Sequence, residues 1–569
     1  MNRWRWTSWV PEILLVVITT AAGLWAGGRW LNPVGDPGNW WSLLERMGQG
    51  EALYRDIFLQ YGPLTPLLMN LASRAFGLSS TSFLLFNWIP AILLGVLLLR
   101  ASRPFFTTVE RLVVLALILA LGVFGGGVAQ SRLIFCYCPA AVVGLVFAVG
   151  SLLFLLRDEP RRFDPFAAGI LAGLAFCAKQ EIGLAAIAGL CMPLLTRGRR
   201  HGVTWAVQSV GAFLAVGFAI MAGTTGGVSL DSLRHDSHLW PIGTVPPEWR
   251  DLYRLAAGVT GLGWQGHVVR SAVGLGYCLL VGILTAWILT RDARSKRIVP
   301  LLVLGALLAI GVYAQLRFGW RRWDPLCLSM IVSFVLALAA IVDKSLPRRE
   351  FIAGFGLFAG IVAARTAFTG RGWNVYSSVA NVCGALVWPL LLLCVLPPIL
   401  LGRTAAARVL RRIWLAGLLP VAVYFAWSAV SGLRDAAAIA MPTRQGSIWV
   451  YPWTAPFISL IGENVRPGER ALILPESNGV DALFGLRSAS PLLSYLPGWL
   501  DERAEHRLLG TFADEPPDVV ILFERSSWEY GVAPFGEGYG RRLGEWISQN
   551  YSVTAGKNGG AILRRKKAA

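Results

Sequence analysis

Charge is what this sequence has least of. Asp, Glu, Lys and Arg make up 15% of its 569 residues, against about a quarter in a soluble globular domain. Hydrophobic residues reach 55% and mean hydropathy is +0.55. A water-soluble globule of this length could not hide so much apolar surface, which excludes a soluble enzyme, a disordered chain and a fibrous repeat. Acids are scarcer than bases, 33 against 52, for a net charge of +19. In a nucleic-acid binder that excess would form basic stripes in polar surroundings. Here the bases sit between apolar runs and read as topology information. The 8 cysteines (Cys136, Cys138, Cys177, Cys191, Cys278, Cys327, Cys383 and Cys394) lie nearly all in or beside apolar runs, with no zinc-ribbon spacing. They read as small side chains packed between helices. The polar C-terminal part has none, so it does not depend on disulfides. Internal repeats, low-complexity tracts and flexible linkers are missing too.

What the sequence has instead is long apolar runs. A spanning helix needs about 20 mostly apolar residues. Such runs fall at 11–31, 81–99, 109–127, 138–156, 165–182, 183–196, 203–223, 268–290, 298–316, 325–342, 351–368, 378–401 and 413–431. The pattern predicts about thirteen membrane helices, with 165–196 open to a second reading as one broken hairpin. Arg3 and Arg5 precede the first run, and alternate loops beyond it are basic: Arg100 and Arg103; Arg157, Arg161 and Arg162; Arg197, Arg199 and Arg200; Arg291, Arg294, Lys296 and Arg297; Lys344, Arg348 and Arg349; Arg403, Arg408, Arg411 and Arg412. Basic residues favour the cytoplasmic side, so the N-terminus is predicted inside a cytoplasmic (inner) membrane and the C-terminal region outside. Ala21-Ala22-Gly23 offers small residues, but the apolar run continues through Leu24, Trp25 and Ala26, as an uncleaved helix does.

Three regions break the apolar pattern on the predicted outer side. In 32–80, residues 40–50 and 64–76 carry apolar groups at helical spacing between Pro and Gly. They are predicted as interfacial helices with Trp40 and Trp41 at headgroup level. The second region is 224–267. The third, 434–569, reads as a small soluble α/β domain. Ala471 to Leu474, Val519 to Phe523 and Gly559 to Leu563 suit strands, and 502–512 and 539–550 suit helices. The basic tail Arg564 to Lys567 is expected to be solvated. The predicted fold class is thus an α-helical polytopic membrane protein over 1–433 with a C-terminal extracytoplasmic α/β domain over 434–569.

Asp36 carries most weight among the chemically capable residues. It stands in Gly35-Asp36-Pro37-Gly38, a few residues beyond the first run. A carboxylate at the outer membrane surface can take a proton from an acceptor hydroxyl or hold a metal while a phosphate leaves. It can equally cap the helix before Trp40. A second set of residues violates the basic-inside pattern: Arg132, Lys179, Arg234, Arg317, Arg321, Arg322, Arg365 and Arg371. Cations at such depth are expensive and mark function by default, unless they snorkel to headgroups. Lys179 and Arg365 are flanked by apolar helix, although Glu181 stands ready to pair with Lys179. His235 and His238 share a helix face at i, i+3, which a zinc pair would need. No third ligand accompanies them, which leaves substrate hydrogen bonding or an ordinary polar loop.

The order of several motifs goes further. Gly50-Glu51-Ala52-Leu53-Tyr54-Arg55-Asp56 and Gln60-Tyr61-Gly62-Pro63-Leu64 follow Asp36 at short range. Gly173-Leu174-Ala175-Phe176-Cys177-Ala178-Lys179-Gln180 comes later, then Pro516-Pro517-Asp518-Val519-Val520 and Tyr530-Gly531-Val532-Ala533-Pro534-Phe535-Gly536. This succession resembles the GT-C glycosyltransferases, the group of protein O-mannosyltransferases and bacterial aminoarabinose transferases. The sequence departs from the pattern in having Asp36-Pro37 where many eukaryotic members carry Asp-Glu, and no acid in 130–139. The resemblance implies a GT-C fold and a polyprenyl-phosphate sugar donor. It also implies a hydroxyl-bearing lipid, glycan or protein as acceptor at the outer membrane face, with inversion at the anomeric carbon. Asp36 would be the general base. Lys179, Arg132, Arg317, Arg321 and Arg365 would hold the donor phosphate, since arginine forks grip two phosphate oxygens. Arg55, Asp56, Gln60, Tyr61, His235 and His238 would contact substrate. No metal, other cofactor or nucleic-acid partner is expected beyond the membrane lipid itself. The C-terminal domain is expected to bind acceptor or stabilise the outer face. Two rivals stay open: a transporter or flippase, in which buried charges mark a substrate path, and a ligase or polymerase using a lipid-diphosphate donor.

Overall fold

The structure is a computed structural model. It describes residues 6–26, 29, 34–124, 132–133, 138–157, 159–197, 199–237, 325–368, 379, 381–402, 404–431, 439–444, 446–477, 479–497, 499–525, 527, 532–557 and 559–566. Helices lie over the predicted spans from 11–31 to 203–223 and from 325–342 to 413–431. The predicted spans 268–290 and 298–316 lie outside the described residues. Among the described residues, the helices long and apolar enough to cross a membrane are Ser80–Ser102, Pro139–Leu156, Arg200–Thr225 and Gly384–Leu401, with shorter apolar helices beside them. The chain is a multi-pass membrane protein.

The first helices show how local chemistry sets the ends. Helix α1 (Val10–Ala26) is followed by α2 (Asp36–Gly48) and α3 (Leu64–Phe76). Next come α4 (Ser80–Ser102), α5 (Thr108–Ile118) and α6 (Pro139–Leu152). Ser79 opens α4 through a capping box with Ser82, and Thr107 opens α5 through one with Glu110. Each box satisfies amides that the first turn leaves unbonded. Glu110 also receives Arg411 at 2.7 Å, and Glu12 of α1 receives Arg111 at 2.5 Å. Both are buried acids paired with an arginine, Glu110 through both carboxylate oxygens and Glu12 through Oε1.

These contacts place the basic loops together. Arg103 and Arg111 donate to Ser8. Phe105 stacks on Phe351, Arg197 pairs with Glu350, and Leu155, just before the loop near 160, lies against Gly354. The loops near 8, 105, 160, 197 and 350 therefore share one end of the bundle. The segment 34–63 and the C-terminal α/β part share the other.

That α/β part is a five-stranded sheet in the order β4-β3-β5-β7-β6, beside a hairpin of β1 (Ile439–Thr443) and β2 (Gly446–Val450). Its strands are β3 (Arg470–Leu474), β4 (Arg487–Ser488), β5 (Val519–Phe523), β6 (Tyr551–Lys557) and β7 (Gly560–Arg565). Side chains alternate between faces as a pleat demands. Ala471, Ile473, Val519, Ile521 and Ile562 join the apolar cluster that runs into the bundle. Leu472, Leu474, Val520 and Leu563 face the helices Glu502–Asp514 and Arg541–Asn550. One core is thus continuous between bundle and sheet.

Three expectations need correction. Trp40 and Trp41 are buried, 4% and 0% exposed, with Trp41 stacked on Phe83 at 5.6 Å. Helix α2 lies between bundle and sheet, and the exposed apolar residues Leu67, Leu71 and Phe76 belong to α3. Lys179 does not sit inside an apolar helix. Helix α7 (Asp164–Ala178) stops before it and α8 (Gln180–Leu190) starts after it. Lys179 itself is extended at φ −150 and ψ 111. The break comes where a buried cation would otherwise have no polar partner. The tail is solvated only in part: Arg565 and Lys566 are exposed, but Arg564 pairs with Glu469 at 2.7 Å and the Lys566 ammonium donates to the carbonyls of Ser548 and Gln549. Those carbonyls close a helix end, where positive charge is favourable.

Candidate active site

The site is built from α2, the loop 49–63, and the tip of the α7–α8 hairpin. Gly35 is extended at the mouth of α2 and Pro37 stands in its first turn, a position that suits a residue without an amide hydrogen. Asp36 is the first helical residue; its side chain lies outside the described residues. Trp40 follows one turn later and stacks on Tyr61, centroids 5.5 Å apart and rings within 12° of parallel. Above the same Tyr61 ring stands the Lys179 ammonium, 4.4 Å from the centroid. Lys179 is buried and its ammonium reaches Glu181 at 3.1 Å. The predicted Lys179–Glu181 pair therefore forms, at a hairpin tip rather than within a helix.

The loop is held to this tip by close backbone approach. A Cβ at Gly62 would overlap the Cys177 carbonyl, so only glycine lets 60–63 lie against the last turn of α7. Tyr54, fully buried at φ 66, donates its hydroxyl to the Tyr61 carbonyl at 2.7 Å. Burial pushes its phenol well up, and the Cys177 thiol adds to this, so it stays a neutral donor. Arg46 donates to Glu51 at 2.6 Å and to the Asp56 carbonyl at 2.7 Å. Asp56 accepts the Ala52 amide at 2.8 Å and is gripped by Arg55, whose hydrogen bond holds its carboxyl below the usual range. Arg55 is exposed. Glu45 faces Arg444 at 3.5 Å. Glu45 of α2 and the loop acids Glu51 and Asp56 each face an arginine. Gln60 is half-buried beside Tyr61.

Among the predicted phosphate-holding residues, Lys179 and Arg132 are both deeply buried. Burial pushes the Arg132 guanidinium down to about 10, against the pull of the nearby Tyr451, which leaves it a cation at neutral pH. Arg365 belongs to the helix Arg349–Phe368, three residues from the end away from Arg349, and its side chain lies outside the described residues. Arg317 and Arg321 lie outside them altogether, as does His238. His235 reaches Asp231 at 3.7 Å. Among the described residues no three His, Cys, Asp or Glu side chains are grouped to hold a metal ion.

Sequence reasoning missed how α2 is clamped from the α/β side. Ser42 donates to the buried Asp481 carboxylate, and the Ser477 hydroxyl donates to Asn39 at 3.0 Å. The Phe58 amide donates to the Pro491 carbonyl at 2.9 Å. Burial raises the Asp481 carboxyl above its usual range, opposed by the Ser42 bond and by Arg46. Nearby, Arg503 and Arg507 pair with Asp231 and Asp236, both at 2.5 Å, and tie 230–237 to the helix Glu502–Asp514. Ser42 and Ser477 stand in no motif that signals these links in the sequence.

No family model and no curated protein matches the chain. Among solved structures it is similar to ArnT from Cupriavidus metallidurans bound to undecaprenyl phosphate, at 15% identity, covering 96% of this chain and 97% of that chain with a TM-score of 0.42. It is similar to the Archaeoglobus fulgidus oligosaccharyltransferase in complex with Zn and sulfate, at 13% identity, 96% and 73% coverage and a TM-score of 0.48. It is also similar to the oligosaccharyltransferase AglB of the same archaeon with an inhibitory peptide and a dolichol-phosphate, at 12% identity, 98% and 74% coverage and a TM-score of 0.47. These neighbours are GT-C superfamily members. With TM-scores below 0.5 they stand as similarities only.

Proposed function

We propose that this chain is an integral membrane glycosyltransferase. It moves a sugar from a polyprenyl-phosphate donor to a hydroxyl on a lipid, glycan or protein at the outer face of the cytoplasmic membrane. The observation that supports this most is the stack Trp40–Tyr61–Lys179, which sets a buried cation against the helix that begins with Asp36. A buried cation packed against the helix that begins with an acid meets the two demands of the reaction. Asp36 takes the proton of the acceptor hydroxyl, whose oxygen attacks the anomeric carbon. The bond from that carbon to the phosphate oxygen breaks, its electron pair stays on the phosphate, and the anomeric configuration inverts. Lys179 and Arg132, with Arg317, Arg321 and Arg365, stabilise the charge that builds on the leaving phosphate. Arg55, Gln60, Tyr61 and the His235/His238 region contact substrate, and residues 434–569 form the extracytoplasmic part that shapes the acceptor side.

The test is transfer from a polyprenyl-phosphate sugar by purified protein carrying Asp36→Asn. Loss of transfer by about a hundred-fold or more is expected for a lost general base, and undiminished transfer excludes the role. Running the wild type with monophosphate and diphosphate donors separates this reading from a ligase or polymerase. Solute uptake into sealed vesicles without a covalent product would support a transporter instead.

A further inference from the structure

A cavity of about 480 Å³ opens at the end of the bundle opposite the sheet. Leu346, Pro347, Leu393 and Pro397 give it apolar walls, and Arg408 and Arg411 give it cations. It joins two basic segments far apart in sequence, 343–350 and 402–412. Its depth follows from α4, which starts beside α2, where Phe83 meets Trp41, and ends at Ser102. Its 23 residues span roughly 35 Å at the α-helical rise, about the apolar thickness of a bilayer. At that far end Arg411 donates to the Phe105 carbonyl at 3.1 Å. The cavity therefore sits at the polar boundary of the membrane face remote from the candidate active site.

The charged groups around it are not equivalent. Arg411 is bidentate to Glu110, at 2.7 and 2.8 Å, which neutralises it. Asp343 accepts the Ser345 hydroxyl at 2.7 Å and the Ser345 amide at 2.9 Å, so that hydroxyl faces a carboxylate at the rim. Arg408 is exposed and makes no ion pair among the described residues. Lys344 and Arg412 adjoin lining residues in the chain. We propose that this cavity binds the phosphate headgroup of an anionic phospholipid, with Arg408 gripping the phosphate and the Leu346, Leu393 and Pro397 walls taking the start of the acyl chains. A guanidinium fork matches phosphate oxygens, and a basic pocket between helices at headgroup depth is the kind of site that selects anionic lipid. The apolar walls favour a lipid over free phosphate, which shares the same anionic chemistry.

Cys394 provides the readout, because it lines the cavity and is only half-buried. The full chain is placed in nanodiscs of phosphatidylcholine alone or with phosphatidylglycerol, and alkylation by an uncharged maleimide is followed at each cysteine by mass spectrometry, with half-buried Cys191 as reference. Phosphatidylglycerol should slow alkylation of Cys394 relative to Cys191. Arg408→Gln should weaken that protection about five-fold, the worth of one basic residue at an anionic surface. Arg408 is exposed, so its replacement leaves the packing intact. Equal alkylation with and without phosphatidylglycerol overturns the proposal, as does protection that Arg408→Gln leaves unchanged. Protection by inorganic phosphate in phosphatidylcholine discs also overturns it, by assigning the cavity to the free anion.

Discussion

Lys179 holds its ammonium 4.4 Å from the centre of the Tyr61 ring and 3.1 Å from Glu181. Burial makes the ring contact worth more than it would be in water. Glu181 is the more exposed partner, with 44% of its side chain accessible against 5% for Lys179. An arriving phosphate can therefore displace the carboxylate while the aromatic face stays in place. Lys179→Met should raise the donor KM about ten-fold or more, the scale of a charge-assisted hydrogen bond. Glu181→Gln removes the competitor and should lower the donor KM or leave it unchanged. Steady-state kinetics with varied donor checks both. If Glu181→Gln harms donor use as much as Lys179→Met, the pair is structural and the phosphate role fails.

The Asp481 carboxyl makes stability depend on pH in a direction opposite to a salt-bridged acid. Burial raises its folded-state pKa above the ordinary value, and Ser42 and Arg46 offset only part of that. Below the unfolded pKa both states are protonated and the group costs nothing. As pH rises through the folded pKa the native state is progressively penalised, so the protonated form's advantage is lost upward. Asp481→Asn keeps an oxygen to accept from Ser42 without the charge. Wild type should therefore lose stability relative to Asp481→Asn between about pH 4 and pH 8. Thermal unfolding in detergent at the two pH values measures this, and a difference that shrinks as pH rises rejects it.

Much of this arrangement was legible in the sequence because period and composition fix it locally. The run at 64–76 became α3 with the same bounds, and Val519 to Phe523 became the strand β5. The Asp56 motif was also visible, though its carboxylate turns out to hold the Ala52 amide and Arg55. What was not legible depends on partners well beyond the local sequence window, at Tyr61, Phe83 and Glu469. Trp40 and Trp41 look interfacial until Tyr61 and Phe83 cover them. Lys179 looks helical until the chain reverses there to bring it to Tyr61. Arg564 looks like part of a solvated tail until Glu469 receives it. In each case a tertiary partner outweighed the local signal.

Two glycines of the same segment should respond in opposite ways to alanine. At Gly48 an added Cβ would meet nothing within 4 Å. It ends α2, where alanine restricts the unfolded chain more than glycine does, so Gly48→Ala should be neutral or stabilise by about 0.5–1 kcal/mol. At Gly62 the Cβ would overlap the Cys177 carbonyl, which is backbone and cannot rotate aside. The loop must then lift from α7, taking Tyr61 away from both Lys179 and Trp40. Gly62→Ala should cost about 1–3 kcal/mol, as overpacking does. It should also change the emission of Trp40 as its partner ring moves. The donor KM should rise in the same variant while Gly48→Ala leaves it unchanged, because the displaced ring is the one that supports the cation. Thermal unfolding and donor kinetics on the pair of variants check this, and equal behaviour of the two would show that the loop-to-hairpin contact does not position Lys179.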